Sequence, residues 1–249
     1  MLLHAFLLLL AAATTAPADL PTYRCAAATQ PVKIDGALDD PAWAAAEWSS
    51  RFVDIRGGDR PAPPLRTRAK LLWDATFLYV GIECEEPDVR AHMRDRDMPL
   101  FRENAVELFL DPDDDGLNYG ELEVNALGTD YDTKLDKPYR DGGQRDDAWR
   151  IDRMKLAIHV DGTINDDRDR DHGWTAEIAI PWAALNSLAP DHVPPKPESH
   201  WRMQLARAEH PDRTPRPTFS SWSPQGEVNL HAPERWGHLE FASAPKPAQ

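Results

Sequence analysis

The stretch Leu65–Glu85, LRTRAKLLWDATFLYVGIECE, decides the fold class. Its two apolar segments, Leu65–Asp74 and Phe77–Glu85, flank the short turn Asp74-Ala75-Thr76 and predict a β-hairpin. In the second segment Leu78, Val80, Ile82 and Cys84 alternate with Phe77, Tyr79, Gly81 and Glu83. The period of two along a strand sends the first set to a core. Outward from the hairpin the alternation recurs. Ala105–Asp111 (AVELFLD) sets Val106, Leu108 and Leu110 against Glu107 and Phe109, and Tyr119–Leu127 sets Leu122, Val124 and Ala126 against Glu121, Glu123 and Asn125. Lys155–Val160, Gly173–Ile180, Trp201–Ala208 and Trp236–Phe241 continue it. Loops rich in Pro, Gly and Asp separate these segments at 56–64, 111–118, 141–147, 165–173 and 190–199. Only Asp40–Glu47 (DPAWAAAE), with Pro41 just inside a capping Asp40, predicts a short helix. The expected fold is all-β: an antiparallel, jelly-roll-like β-sandwich with one short helix near the N-terminus.

Residues 1–18 carry an apolar run, Leu2–Ala13, followed by the small residues Ala16-Pro17-Ala18, the pattern of a secretory signal even without an early Lys or Arg. The run falls short of the roughly 20 apolar residues that span a bilayer. The expectation is therefore a secreted or periplasmic protein without a membrane anchor. Residues 19–241 hold no long linker and no internal repeat, so they predict one domain, with 242–249 as a disordered tail.

The formal net charge is −14, from 42 acidic and 28 basic residues. Nucleic acids and anionic lipid surfaces are won by basic patches, so this balance argues against both and tolerates neutral glycans and divalent cations. Cys25 and Cys84 lie 59 residues apart and outside any CxxC or Cys/His cluster. In an oxidising compartment they can pair or remain thiols, depending on whether their Cα atoms approach closely enough.

Seven short motifs follow one another in the chain: Val32–Trp43 (VKIDGALDDPAW), Lys70–Val80 (KLLWDATFLYV), Asn104–Asp111 (NAVELFLD), Leu122–Gly128 (LEVNALG), Trp174–Leu185 (WTAEIAIPWAAL), Trp201–Arg207 (WRMQLAR) and Pro233–Phe241 (PERWGHLEF). Together, in this order, they resemble the family-9 carbohydrate-binding modules, a branch of the DOMON-like sandwiches. The resemblance covers about Tyr23–Phe241. It implies a non-catalytic module that binds polysaccharide or oligosaccharide, such as xylan or cellulose, in extracellular carbohydrate catabolism.

Sugar recognition needs flat apolar rings for the C–H faces of a pyranose and fixed polar groups for its hydroxyls. The resemblance carries the family's stacking aromatic onto Phe101 and its hydroxyl-binding glutamate onto Glu107. A family arginine on the next strand falls on Glu123, and the second stacking tryptophan falls near Leu230 or His231, so the two-tryptophan clamp is not reproduced. Asn125, Arg207 and His231, with Asn229, are further candidates for a remodelled site. Of the nine tryptophans, Trp43, Trp73, Trp174, Trp182 and Trp236 sit in apolar motifs and read as core. Trp149, Trp201 and Trp222 read as surface aromatics, with Trp222 the favoured stacking residue.

Asp111-Pro-Asp113-Asp-Asp115-Gly116 carries the D-x-D-x-D-G half of a calcium loop, although Leu122 stands where the EF-hand glutamate would. Family-9 modules carry structural calcium, and Asp111, Asp113 and Asp115 are the expected ligands. Acidic turns also form without metal, because Asp bonds its own backbone. No G-x-S-x-G, H-E-x-x-H or P-loop occurs, so the common catalytic signatures are absent. Three alternatives stay open: a haem-binding electron-transfer domain using residues such as Met93, Met98, Met154 or Met203, an enzyme acting on O-glycosyl bonds, as hydrolases fused to this family do, and a structural envelope protein whose acidic surface binds cations.

Overall fold

The computed structural model describes residues 20–210 and 217–243. The signal-like residues 1–18 lie outside the described residues. Thirteen strands are present among those described, with a single four-residue α-helix, Trp182–Leu185. One sheet contains β5 (Ala105–Asp111), β6 (Tyr119–Asn125), β7 (Asp130–Leu135), β8 (Arg145–Asp146), β11 (His200–Glu209) and β13 (Gly237–Phe241), in the order β8-β7-β6-β5-β11-β13. The other contains β3 (Thr67–Trp73), β4 (Phe77–Glu85), β10 (Gly173–Pro181) and β9 (Lys155–Asp161), in the order β3-β4-β10-β9. Two short strands, β2 (Val53–Asp54) and β12 (Thr218–Ser221), extend the first sheet beside β11.

The strand β1 (Thr22–Ala27) joins the two sheets: Thr22–Cys25 pair with β13, and Ala26–Ala27 pair with β3. Both pairings are parallel, so the sandwich is antiparallel everywhere except along this shared strand. Alternation along the hairpin explains the core. Leu78, Val80, Ile82 and Cys84 are at most 1% exposed and pack in one cluster with Val106, Leu108, Leu110, Leu122 and Val124 of the facing sheet.

The outer face of the second sheet is also covered, by the segment preceding β2. Glu177 on β10 is fully buried and binds that segment at three points. Its Oε1 accepts from Trp43 Nε1 at 2.8 Å, and its Oε2 accepts from the backbone N–H of Asp35 at 2.9 Å and of Gly36 at 2.8 Å. Gly36 has φ +91, and a Cβ there would sit 2.7 Å from the backbone nitrogen of His159, so the turn requires glycine. The hairpin turn is held likewise. Asp74 Oδ1 accepts from the N–H groups of Thr76 and Phe77, and Tyr79 donates its hydroxyl hydrogen to Asp74 Oδ2.

The short helix expected within Asp40–Glu47 is the 3-10 helix Pro41–Ala45, but the capping role expected of Asp40 is corrected: its carboxylate accepts the Lys33 N–H instead of capping the helix. Cys25 and Cys84 are both buried free thiols rather than a disulfide. The domain continues past residue 241: Ala242 is buried, donates to Cys25 O and accepts from Trp73 Nε1, and Ser243 donates to Glu198. Residues 244–249 lie outside the described residues. Among the described residues no helix is long and apolar enough to cross a membrane.

Removing the Glu177 carboxylate leaves two buried N–H donors, of Gly36 and the Trp43 indole, and the part-buried Asp35 N–H without a partner. Glu177→Ala is expected to cost roughly 3 kcal/mol, read as a fall in Tm of about 6–12 °C in thermal unfolding.

Candidate functional site

A cavity of about 640 Å³ opens on the outer face of the first sheet. Its floor is built by strand register. Glu107 on β5 lies directly opposite Glu123 on β6, and Phe109 lies opposite Glu121. Since Val106 and Val124 of the same hairpin face the core, period two sends the three glutamates to the other face, into the cavity. The walls come from loops and the neighbouring strands: Phe101 in the 3-10 turn Leu100–Arg102, Tyr131 on β7, Tyr139, Phe219 on β12, and the Val228–His231 segment. Arg102, Arg145, Asp97 and Asp147 also line the cavity.

Specific contacts position Phe101 and His231. Glu123 Oε2 accepts the Phe101 N–H at 2.7 Å, so the floor itself holds the aromatic turn in place. Among the described residues Phe101 (37% exposed), Tyr139 (45%) and Val228 (59%) are three of the five large apolar side chains left exposed, and all three line the cavity. His231 packs edge-on against Phe109 and Tyr139, and its Nδ1 lies 3.1 Å from the Tyr119 hydroxyl. With Tyr119 donating to Nδ1, the Nε2 proton faces Glu121, whose Oε2 is 4.0 Å away. Burial lowers the His231 pKa to about 4, so the ring is neutral at pH 7.

Burial and mutual repulsion govern the floor. Burial first, then the neighbouring Glu123 and Glu121, push the Glu107 carboxyl well above the usual carboxylate range. Burial and Glu123 do the same to Glu121. Glu123 rises to about 7 through burial, opposed by the Phe101 N–H it accepts. Glu107 is 3% exposed, and its Oε1 is buried with no hydrogen-bond partner.

A second acidic group lies at the end of β5. Ligand oxygens of Asp111, Asp113 and Asp115 fall within 4.8 Å of one another. Asp111 is fully buried. Its Oδ2 accepts the Gly116 N–H at 2.9 Å, while its Oδ1 is buried and has no partner. Burial raises the Asp111 pKa to about 7, and the neighbouring Asp113 and Asp115 add to the rise. An orphaned carboxylate oxygen beside two more carboxylates is the donor set that calcium takes.

Of the six residues expected to bind sugar, the structure brings Phe101, Glu107 and His231 to the cavity and places the other three elsewhere. Asn125 is fully buried with its amide consumed. Nδ2 donates to Met93 O and Glu103 Oε1, and Oδ1 accepts from Leu127 and Thr129. Arg207 is 1% exposed and ties the two sheets together, donating to Thr67 Oγ1, Glu85 O and Glu86 Oε2 and pairing with Glu209. Trp222 is core: its ring covers Gly237, where a Cβ would approach to 2.5 Å. Trp149 and Trp201, expected at the surface, are likewise buried, and Trp201 meets Trp182 and Phe241 edge-on. Trp43, Trp73, Trp174, Trp182 and Trp236 are core as expected. Among the lining residues missed from sequence are Glu121, Tyr131, Tyr139 and Phe219; of these four only Glu121 had a signal, its shared face with Glu123. No methionine lines the cavity.

The sequence profile described as carbohydrate family 9 binding domain-like matches residues 34–244. The chain belongs to this family. Solved structures with the same fold include a putative carbohydrate-binding protein from Bacteroides uniformis, with 17% identity and TM-score 0.66 over 90% of this chain and 99% of the other. A family-9 module from Caldicellulosiruptor kristjanssonii, 18% identical, has been solved with cellotriose and with glucose. It covers 92% of this chain in both cases and 97% and 99% of the respective structures, with TM-score 0.60 in each. No curated protein matches the chain. For this family-9 chain the core motifs thus coincide with structural contacts: IDG and Trp43 meet at Glu177, Asp74 closes the hairpin, and the Trp73 indole donates to Ala242 O.

The raised carboxyls set a pH dependence for the metal-free protein. Asp111 and Glu123 titrate near 7 when folded but near 4 when unfolded. The folded state therefore binds more protons in between, and its stability is fully present only below the unfolded pKa. His231, with its lowered pKa, acts oppositely but only below about 6.5. In EDTA, Tm is expected to fall as pH rises from about 6.5 to 8.5, measured by differential scanning calorimetry.

Proposed function

We propose that this protein is a secreted, non-catalytic saccharide-binding protein whose ligand sits in the cavity above Glu107, Glu121 and Glu123. One observation carries the reading: Phe101 and Tyr139 leave their rings exposed at the wall of a cavity whose floor carries the three glutamates. Monomeric proteins seldom leave aromatic surface open beside buried carboxylates without a ligand to cover it. A pyranose meets both demands, with C–H faces for the rings and hydroxyls for the carboxyl oxygens. Membership of a carbohydrate-binding family and the cellotriose and glucose seen in the Caldicellulosiruptor module support the same ligand class. Plant-type polysaccharide such as xylan or cellulose fits a role in extracellular carbohydrate catabolism, and the signal-like N-terminus supports export.

Affinity electrophoresis through soluble xylan and β-glucan, followed by calorimetry with the retarding glycan, tests this. Phe101→Ala and Tyr139→Ala are each expected to weaken binding about 5–10-fold, the worth of one stacked ring. Wild-type protein that is retarded by no glycan overturns the reading.

We also propose that Asp111, Asp113 and Asp115 hold a structural calcium ion, which would neutralise the buried Asp111 oxygen and pin the loop after β5. Calcium is expected to raise Tm in wild type, and the double variant Asp113→Asn/Asp115→Asn is expected to lose most of that rise, read by thermal unfolding with calcium and with EDTA. An undiminished rise in the variant counts against this site.

A further inference from the structure

The three glutamates under the cavity form a second cluster with its own unmet demand. One carboxylate oxygen from each of Glu107, Glu121 and Glu123 lies within 4.8 Å of the other two. Two oxygens bound to one calcium ion at 2.3–2.6 Å lie at most about 5 Å apart, so the spacing admits a shared ion. Among the described residues no Lys or Arg comes within 4.0 Å of the three carboxylates: Arg145 acts on Glu121 only from further along the cavity wall, and His231, 4.0 Å from Glu121, is neutral. The independent pointer is Glu107. It is buried on the cavity floor, its Oε1 has no partner, and a second carboxyl, that of Glu123, stands directly across the strand pair. Like charges at directly opposed positions destabilise a sheet, and a buried unpaired carboxylate oxygen costs more.

We propose that Glu107, Glu121 and Glu123 bind a divalent cation of the calcium class at the floor of the cavity, with open coordination positions turned to the hydroxyl oxygens of the bound ligand. The donor set is all oxygen, which suits calcium rather than zinc or copper. Calcium takes 6–8 oxygens, more than three glutamates supply when each binds through one, and the vacant positions face the cavity. Vicinal hydroxyls of a saccharide can fill two of them. The site is distinct from the Asp111 loop, four residues further along β5 and on the order of 13 Å away. Cation binding stands on the cluster alone, while ligand coordination rests on the saccharide reading above.

The test uses EDTA-dialysed full-length Asp113→Asn/Asp115→Asn protein, so that calcium chloride titrated calorimetrically reports the cavity alone. Calcium is expected to bind, and Glu107→Gln or Glu123→Gln in that background to weaken it on the order of 10-fold or more. Glutamine keeps the shape and removes a buried charge, so both variants should retain a cooperative thermal transition. No calcium binding in the aspartate variant, or binding that Glu107→Gln leaves unchanged, overturns the cation site. Cellotriose is then titrated with calcium and with EDTA. Binding lost in EDTA supports coordination through the ion, and equal binding in both overturns that coordination while the saccharide reading stands. Calcium bound without cellotriose or glycan binding of any kind overturns the saccharide reading and leaves the cation site in place.

Discussion

The structure depends on one constraint: two apolar rows, Leu78, Val80, Ile82 and Cys84 on one sheet and Val106, Leu108 and Leu110 with Leu122 and Val124 on the other, must be buried against each other. Burial at about 25 cal/mol per Å² makes this the largest favourable contribution. It also leaves no freedom in what the other faces display. A slip of one residue would turn every core side chain outward, so β5 and β6 hold the register that pairs Glu107 with Glu123. The polar floor of the cavity is thus the reverse side of the core.

That floor opposes stability. Three buried carboxyls on adjacent strands repel one another, and only Glu123 is relieved by a backbone donor, the Phe101 N–H. A fold selected for stability alone would place apolar residues there, as the same sheet does around Phe109, Tyr119 and Trp236. Local rules broken without compensation inside the fold mark the sites where a ligand supplies it. The Arg207 clamp makes the contrast, since its guanidinium meets Glu86, Glu209, Thr67 and the Glu85 carbonyl. Its charge is answered within the protein, and its role is to hold the sheets together.

The motifs that carry the family resemblance are mostly structural. Glu177 collects the N–H groups of Asp35 and Gly36 and the Trp43 indole, so three short sequence signals are one hydrogen-bonded contact seen from both ends. This is why the motifs locate the fold better than the ligand site. It also explains the misplaced tryptophans. A flanking pair of serines made Trp222 look exposed, yet the ring fills the space above Gly237. A large ring covers several neighbours that are remote in sequence, and local polarity does not report them.

The sequence by itself determined the strands, their alternation and hence the all-β sandwich, because period-two patterning is a local property of consecutive residues. It also placed Phe101 and Glu107 by motif, and Glu121 was within reach through its shared face with Glu123. The parallel pairing of β1 with both sheets, the free state of Cys25 and Cys84, and the union of Phe101, Tyr139, Phe219 and His231 around one cavity were decided only by the tertiary structure. Those features join residues dozens of positions apart. Their encounter is set by how the sheets pack and the loops cross, which no local pattern encodes.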